Sequence, residues 1–186
     1  MPDPPRDSAD ADLAERARDG DGASYRTLVE RYQEVAFRTA YLITRSAADA
    51  EDAAQDAFVK AYLRLDRFDP HRPFRPWLLT IVANEAKNRR RAEGRRLHYE
   101  TSAARHGAAV EATPEAAAVH GAAADELLAA VNTLPEAERL IVGLRYFLEL
   151  TEAETAAVAG IPRGTVKSRL ARALARLRET IGAEDD

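Results

Sequence analysis

Residues 151–181 read TEAETAAVAGIPRGTVKSRLARALARLRETI, and their pattern predicts two helices joined by a turn in the C-terminal part of the chain. Thr151 and Glu154 have the spacing of a capping box, which predicts the start of a helix. Gly160 stands where that helix must end, and Pro162 cannot continue it. A second, longer helix starts directly after this turn. The layout is that of a helix-turn-helix motif, whose second helix enters the major groove of DNA.

The second helix combines an apolar stripe with an excess of positive charge. Its apolar residues recur at three- and four-residue spacing and are Val166, Leu170, Ala173, Leu174, Leu177 and Ile181. Its cations are Arg163, Lys167, Arg169, Arg172, Arg176 and Arg178, with Glu179 as the one carboxylate. An amphipathic surface helix with solvated arginines is the alternative interpretation. We favour contact with DNA, because interleaved carboxylates are missing and guanidinium groups bind guanine edges and phosphates.

Composition limits the classes of protein to consider. With 186 residues, 46% of them hydrophobic, the chain can bury one or two small cores. No apolar run approaches a membrane span, and the N-terminus MPDPPRDSADAD lacks the pattern of a secretory signal, so we expect a soluble, cytoplasmic protein without membrane insertion. The absence of cysteine excludes disulfides and thiolate metal sites. Solvated loop positions without metal-ligand spacing are expected for His71, His98, His106 and His120. We therefore predict no metal and no cofactor.

The net charge of −4 conceals two regions of opposite sign. Residues 1–59 carry an acidic excess, with a cluster at Asp49, Glu51, Asp52 and Asp56. Residues 71–96 are strongly basic, and their cations are Arg72, Arg75, Lys87, Arg89, Arg90, Arg91, Arg95 and Arg96. Together with the helix-turn-helix, the chain therefore offers two basic surfaces to a polyanion such as DNA.

Residues 1–93 are predicted to form an N-terminal domain of four helices. Breaks are expected at residues 19–22, 44–47 and 66–73, where turn-forming residues interrupt the helical period. The stripes predicted to form its core are Tyr25, Leu28, Val29, Tyr32, Val35, Ala36, Thr39 and Leu42, then Ala54, Phe58, Ala61, Tyr62 and Leu65, then Phe74, Leu78, Ile81 and Val82.

Residues 94–123 are rich in Ala, Gly and His without an apolar period, which is typical of a flexible linker. A second helical domain, residues 124–186, follows. It is predicted to place helices at about 125–133 and 135–148 beneath the helix-turn-helix. The expected fold class is all-α, with two small helical domains joined by a flexible linker.

Two longer regions resemble the extracytoplasmic-function (ECF) sigma factors of RNA polymerase. DAEDAAQDAFVKAYLRLDRFD, from Asp49, and FRPWLLTIVANEAKNRRR, from Phe74, resemble the second sigma domain. VNTLPEAERLIVGLRYFLELTEAETAAVAGIPRGTVKSRLARALARLRE, from Val131, resembles the fourth sigma domain. The resemblance implies a factor that directs core RNA polymerase to specific promoters and promotes strand opening at initiation, with no catalysis of its own.

The resemblance also assigns a role to the acidic cluster. It implies that Asp52, Gln55 and Asp56 dock on the clamp coiled coil of RNA polymerase. These residues lie on one face of a helix, opposite the apolar stripe, so the spacing permits this contact. Without the resemblance, a solvated acidic face would be the default interpretation.

The loop 68–73 and the helix after it are assigned by the same resemblance to the downstream, minus 10, promoter element. Asn84 matches the residue that captures an unstacked base, and an asparagine amide can both donate to and accept from a base edge. The full set expected at this element is Phe68, Asp69, His71, Arg72, Asn84, Lys87, Asn88 and Arg91. Trp77 could stack on a base, but we favour a core position because it stands in an apolar run.

The fourth domain would read the upstream, minus 35, element. Its expected DNA-binding residues are Arg163, Thr165, Lys167, Ser168, Arg169, Arg172 and Arg176. Among them, Arg163 in the turn is assigned to phosphate, and Arg172 at the exposed centre of the helix to a base pair. The expected partners are core RNA polymerase through its clamp coiled coil and flap, promoter DNA, and an anti-sigma factor.

Two other classes of protein remain as alternatives. A conventional repressor or activator would use the helix-turn-helix alone and dimerise through the N-terminal helices. An interaction scaffold would not bind specific DNA, and the basic second helix disfavours it. An enzyme is disfavoured because the sequence has no glycine-rich phosphate loop, metal triad or nucleophile–base constellation, so no catalytic residue is predicted.

Overall fold

The computed structural model describes residues 4–103 and 130–182, with side chains for residues 9–93 and 130–181. The chain divides into two units, Met1–Gly107 and Ala108–Asp186. Every regular element in the described part of the chain is helical, which confirms the prediction of an all-α fold. None of these helices is long and apolar enough to cross a bilayer.

Residues 4–103, the described part of the first unit, form four α-helices and one short 3-10 turn. They are α1 (Pro4–Arg18), α2 (Gly22–Thr44), α3 (Ala47–Tyr62), the turn Leu65–Arg67, and α4 (Phe74–Ala103). The ends of α1 and α2 and the starts of α2, α3 and α4 fall at the breaks that the sequence predicts. The third helix ends earlier than predicted, at Tyr62, so Leu65 lies in the 3-10 turn and not in α3. Each interruption has a local cause in side-chain capping or turn chemistry.

Side-chain caps fix the starts of α2 and α3. The carboxylate of Asp21 accepts hydrogen bonds from the backbone N–H groups of Ala23 at 3.0 Å and Ser24 at 3.3 Å. The hydrogen bonds from Ser24 lower the pKa of Asp21 below its ordinary value. The hydroxyl of Ser46 accepts from the N–H of Asp49 at 3.2 Å. These contacts satisfy amide groups that have no partner within the helix.

The C-terminal end of α4 differs from the prediction. The helix continues to Ala103, whereas the sequence predicts a flexible linker from residue 94. Good helix formers flank Gly94 in the sequence RRAEGRRL, residues 90–97, and Gly94 itself costs only about 1 kcal/mol relative to alanine. The rest of the predicted linker, including His106 and His120, lies outside the described residues.

The core of the first unit lies between α2, α3 and α4. Four fully buried alanines line α3 at helical spacing, which allows close approach of the neighbouring helices; they are Ala50, Ala53, Ala57 and Ala61. Phe74, Leu78 and Val82 of α4 are also buried, as predicted. Tyr62 differs from the prediction, because it is 43% exposed and rests on the ring of Tyr25 at the end of α3.

A buried carboxylate holds α1 against α2. Asp10 is fully buried, accepts a hydrogen bond from the hydroxyl of Tyr32 and forms an ion pair with Arg31. Burial and this hydrogen bond raise the pKa of Tyr32. The polar contacts compensate for removing the carboxylate from water.

The second unit is smaller and contains the predicted helix-turn-helix. Its elements are the helical residues 130–133, α5 (Glu136–Val142), a π-helical turn (Gly143–Phe147), α6 (Glu152–Ala159) and α7 (Arg163–Gly182). One core cluster joins residues 130–133 and α5 to the apolar stripe of α7, and its buried members are Ala130, Val131, Leu134, Val142, Ala173 and Leu177. The apolar stripe predicted for α7 therefore lies on its packed face, with Leu170 and Ile181 at the margin.

Candidate functional sites

The acidic residues of α3 lie together on its exposed face. Asp52, Gln55 and Asp56 are all exposed, while the alanines on the opposite side of the helix are buried. The side chains of Asp52 and Asp56 are 56% and 52% accessible to solvent. The structure therefore brings the three predicted docking residues onto one accessible surface, which we call the α3 face.

Arg89 of α4 binds this face from the side. Its Nη1 donates to Asp52 at 2.9 Å and its Nη2 donates to Asp56 at 2.7 Å. Burial alone would lower the pKa of Arg89, but the hydrogen bond to Asp56 and the charges of both carboxylates outweigh it, so the pKa is raised. The sequence places Arg89 in the basic region, and its pairing with α3 becomes visible only in the fold.

Exposed apolar side chains extend the α3 face beyond the carboxylates. Val59 is 60% exposed and Leu63 is 72% exposed, and both follow Asp52 and Asp56 at helical spacing. With Tyr25 and Tyr62 they border a shallow groove of about 360 Å³. Val59 and Leu63 are not among the docking residues predicted from the sequence, although their spacing from Asp56 is a signal that indicates the same face.

The loop before α4 presents only part of the predicted minus 10 set. Asp69, His71 and Arg72 are exposed, and the carboxylate of Asp69 accepts from the N–H of His71 at 3.0 Å and pairs with Arg72 at 3.4 Å. Phe68 is different, because it is only 6% exposed. The expectation of a DNA-facing Phe68 side chain is therefore corrected: its ring belongs to the core.

The cause is an aromatic cluster at the start of α4. The ring of Phe68 lies 5.3 Å from that of Phe74 and 5.2 Å from that of Trp77, and Trp77 lies 5.5 Å from Phe74. Rings at such distances stabilise one another in a packed core. The half-buried Trp77 agrees with the core position favoured from the sequence.

The remaining minus 10 candidates lie on one face of α4. Asn84, Asn88 and Arg91 are exposed and recur at four- and three-residue spacing, with the half-buried Lys87 beside them. Arg89 points away from this polar face toward α3, as its ion pairs require. Two surfaces of different chemistry therefore lie on different sides of α4. One is its own polar face, which carries amides and cations, and the other is the α3 face.

The helix-turn-helix has the local chemistry that the sequence predicts. Thr151 and Glu154 form a reciprocal capping box, with distances of 3.3 Å and 2.7 Å between side chain and backbone partners. Gly160 ends α6 in the left-handed conformation, with φ of 71°, which glycine adopts without strain. The turn then leads into α7, whose first residue is Arg163.

The predicted minus 35 residues differ in their surroundings along α7. Arg163, Lys167, Ser168, Arg172 and Arg176 are exposed, whereas Thr165 and Arg169 are half-buried. The Nζ of Lys167 lies 3.7 Å from a carboxylate oxygen of Glu152. Most of the predicted minus 35 residues are therefore accessible to solvent, but the charges beside them differ.

Glu138 of α5 faces two of these cations. Its carboxylate oxygens lie 4.0 Å from Nε of Arg172 and 3.2 Å from Nε of Arg176. The side chain of Glu138 is only 7% exposed, whereas those of Arg172 and Arg176 are 61% and 57% exposed. Glu138 is not among the residues predicted from the sequence, because it lies far from α7 along the chain and no local spacing connects them.

Comparisons with known proteins cover both units. The chain matches the family models Sigma-70 region 2 over residues 28–96 and Sigma-70 region 4 over residues 130–179. The ECF RNA polymerase sigma-E factor of Escherichia coli strain K12 is 34% identical over 171 residues, which cover 87% of this chain and 88% of that protein. The ECF RNA polymerase sigma factor SigW of Bacillus subtilis strain 168 is 28% identical over 174 residues, which cover 89% of this chain and 93% of SigW.

Solved structures show the same fold. The structure of CnrH in complex with the cytosolic domain of CnrY is similar with a TM-score of 0.65 and 28% identity, and covers 94% of this chain and 98% of that one. The sigma factor RpoE of Bartonella quintana, in complex with the anti-sigma factor NepR, is similar with a TM-score of 0.68 and 24% identity, and covers 85% of this chain and 96% of that one.

Proposed function

Because the chain belongs to the extracytoplasmic-function RNA polymerase sigma factors, we propose that it recognises promoters through two tethered DNA contacts while bound to core polymerase, and helps to open the strands. The proposed domains are residues 1–93 and 124–186, joined by the segment 94–123, whose first ten residues continue α4 to Ala103. The chain itself would catalyse nothing and would act in the cytoplasm.

The observation that carries this proposal is the pair of chemically different surfaces on α3 and α4. The α3 face combines two carboxylates with exposed Val59 and Leu63. A surface of this composition suits a protein partner, because carboxylates repel DNA phosphates and exposed apolar side chains gain by burial. We assign Asp52, Gln55 and Asp56 to the clamp coiled coil of core polymerase.

The polar face of α4 suits a single DNA strand. Asn84 and Asn88 offer amides to base edges, and Lys87 and Arg91 offer cations to phosphates. We assign this face to the minus 10 element, together with the exposed loop residues Asp69, His71 and Arg72. Phe68 supports the loop from the core rather than by touching DNA.

The exposed row of α7 suits the major groove of duplex DNA. Arg172 lies at the centre of the exposed row and is assigned to a base pair of the minus 35 element, with Lys167 and Ser168 nearby. Arg163 and Arg176 are assigned to phosphates. The set is completed by Thr165 and Arg169 at the margin of the helix.

A regulatory partner is part of the proposal. CnrH, 28% identical to this chain, is found in complex with the cytosolic domain of a second protein, CnrY. We propose that this chain also has a protein partner, and that this partner is an anti-sigma factor. The polymerase flap is a further proposed contact of the second domain.

Transcription with purified components tests the function. Core polymerase should transcribe from a subset of a promoter library only when the full chain is added, and the chain alone should bind the same duplexes weakly. A conventional repressor would give the opposite result, with tight binding to one duplex in the absence of polymerase and no stimulation of transcription.

A further inference from the structure

Glu138 is a buried carboxylate that none of the proposed contacts with DNA or polymerase uses. Its side chain is 7% exposed, and its Oε2 accepts no hydrogen bond from the described residues. Removing a carboxylate from water is unfavourable unless an opposite charge compensates for it. Glu138 therefore needs opposite charges nearby.

The compensating groups are two arginines of the DNA-reading helix. Arg172 and Arg176 stand one helical turn apart, and the nitrogen of each that approaches Glu138 is Nε. The one N–H of Arg172 Nε donates to the backbone carbonyl of Ser168 at 3.3 Å, so Arg172 is attracted to Glu138 by charge alone. A guanidinium group has five N–H donors in a fixed plane. A contact through Nε leaves the terminal Nη groups for another acceptor, such as a guanine edge or a phosphate.

We propose that Glu138 is a positioning residue that makes α7 selective for its promoter sequence. The inference rests on the proposed function of α7. The carboxylate competes with DNA phosphates for both arginines, which lowers affinity for random DNA. A correct sequence offers acceptors to the Nη groups while each Nε stays beside Glu138, so it is bound without separating the opposite charges.

The first test measures the salt dependence of binding to a random 30-base-pair duplex by the full chain. Glu138→Gln keeps the shape of the side chain but removes its charge. It should steepen the slope of log affinity against log salt concentration by about 0.9 for each arginine that becomes free to bind a phosphate. Glu179→Gln, which removes one charge from the exposed side of the same helix, should change the slope much less.

The second test measures base preference in transcription by the holoenzyme from promoters with a randomised upstream element. Glu138→Gln should reduce the preference at the base pair read by Arg172 by about tenfold, and Glu179→Gln should retain it. A wild-type chain without any preference would remove the proposed function and the inference with it. Wild-type preference and an unchanged salt slope in Glu138→Gln would overturn the role of Glu138 alone.

A third measurement avoids any change at the buried site, in case Glu138→Gln loses its helical circular dichroism. Arg176→Gln should lower the salt slope by less than Arg163→Gln, because Glu138 already neutralises part of the charge of Arg176. Equal reductions by the two substitutions would show that Glu138 does not compete with phosphate, and would overturn the inference.

Discussion

The two units of the chain each balance a functional charge cluster with an opposite charge from another helix, but they do so in different environments. In the first unit, Arg89 binds the exposed carboxylates of Asp52 and Asp56 through hydrogen bonds of 2.9 and 2.7 Å. In the second unit, the buried Glu138 lies beside two exposed arginines without accepting a hydrogen bond on its Oε2.

The difference in burial decides how much each arrangement contributes to stability. Water screens the ion pairs of Arg89, so such pairs contribute from nothing to about 1 kcal/mol each. Glu138 has little access to water and depends on its cations, so its loss or reversal is far more costly. The charge pairs of the proposed docking surface therefore contribute little to the stability of the first unit, whereas those of Glu138 contribute more to the stability of the second.

The largest effect is expected from reversal of the buried charge. Glu138→Lys would place a third cation beside Arg172 and Arg176 and should lower the free energy of unfolding of the second unit by about 3–5 kcal/mol. Urea unfolding can separate the units, because Trp77 is the only tryptophan and its fluorescence follows the first unit, while circular dichroism follows both.

The matched substitution in the first unit is Asp52→Lys, which should cost about 1 kcal/mol or less. Equal destabilisation of the two units by the two reversals would contradict the difference between the buried and the exposed charge. A shift of the Trp77 fluorescence transition in Glu138→Lys would contradict it as well.

A smaller effect is expected on association with polymerase. Asp52→Arg together with Gln55→Ala should weaken binding to core polymerase by about 2 kcal/mol, roughly thirtyfold, because it reverses a charge at the proposed docking surface. Stability should change by only about half a kcal/mol for each exposed substitution. Fluorescence titration with core polymerase measures the affinity.

The charge-matched control for docking is Glu30→Arg, at an exposed position on α2. It should leave polymerase affinity within about twofold of wild type, a difference of less than half a kcal/mol. Equal affinity for all three proteins would remove α3 as the docking face.

An intermediate loss of stability, about 1 kcal/mol, is expected when a helix cap is removed. Thr151→Ala removes one half of the capping box of α6 and should lower the stability of the second unit by about 1 kcal/mol. Ser46→Ala removes the cap of α3 and should have a similar effect on the first unit. Thermal unfolding followed by circular dichroism and by Trp77 fluorescence should show each loss in the unit that holds the cap, and wild-type stability of both variants would contradict the predicted effect of the caps.

The smallest effect is expected from the exposed ion pairs themselves. Arg89→Met keeps most of the aliphatic stem and should cost about 0.5–1 kcal/mol in urea unfolding. Its effect should disappear when Asp52 and Asp56 are already alanine, because the partners are then absent. A cost above about 3 kcal/mol would place Arg89 in the same class as Glu138 and end the distinction between the units.

Much of the fold follows from local sequence signals. The capping box at Thr151 and the left-handed Gly160 are recognisable because a cap or a turn involves residues only a few positions apart. The core stripes of α4 and α7 follow from helical spacing for the same reason. The end of α4 could not be predicted, because helix formers around Gly94 compete with the low apolar content of the segment.

The candidate sites are only partly visible in the sequence. Composition identifies the cations of α7 and the carboxylates of α3, but Phe68 shows that a residue in a predicted DNA-binding loop can belong to the core. The ring of Phe68 packs against Phe74 and Trp77 in the first turn of α4. That outcome depends on packing across the loop, which the linear pattern does not specify.

The helical class, the helix-turn-helix and the ECF resemblance can be recognised from the sequence, because each depends on neighbouring residues or on long stretches of recognisable pattern. Which charges form pairs depends on the tertiary structure. Asp52 and Arg89 are 37 positions apart, and Glu138 and Arg176 are similarly remote. Such pairs form because core packing fixes the rotation of each helix, and the rotation determines whether a charged side chain faces water, DNA or a partner on another helix.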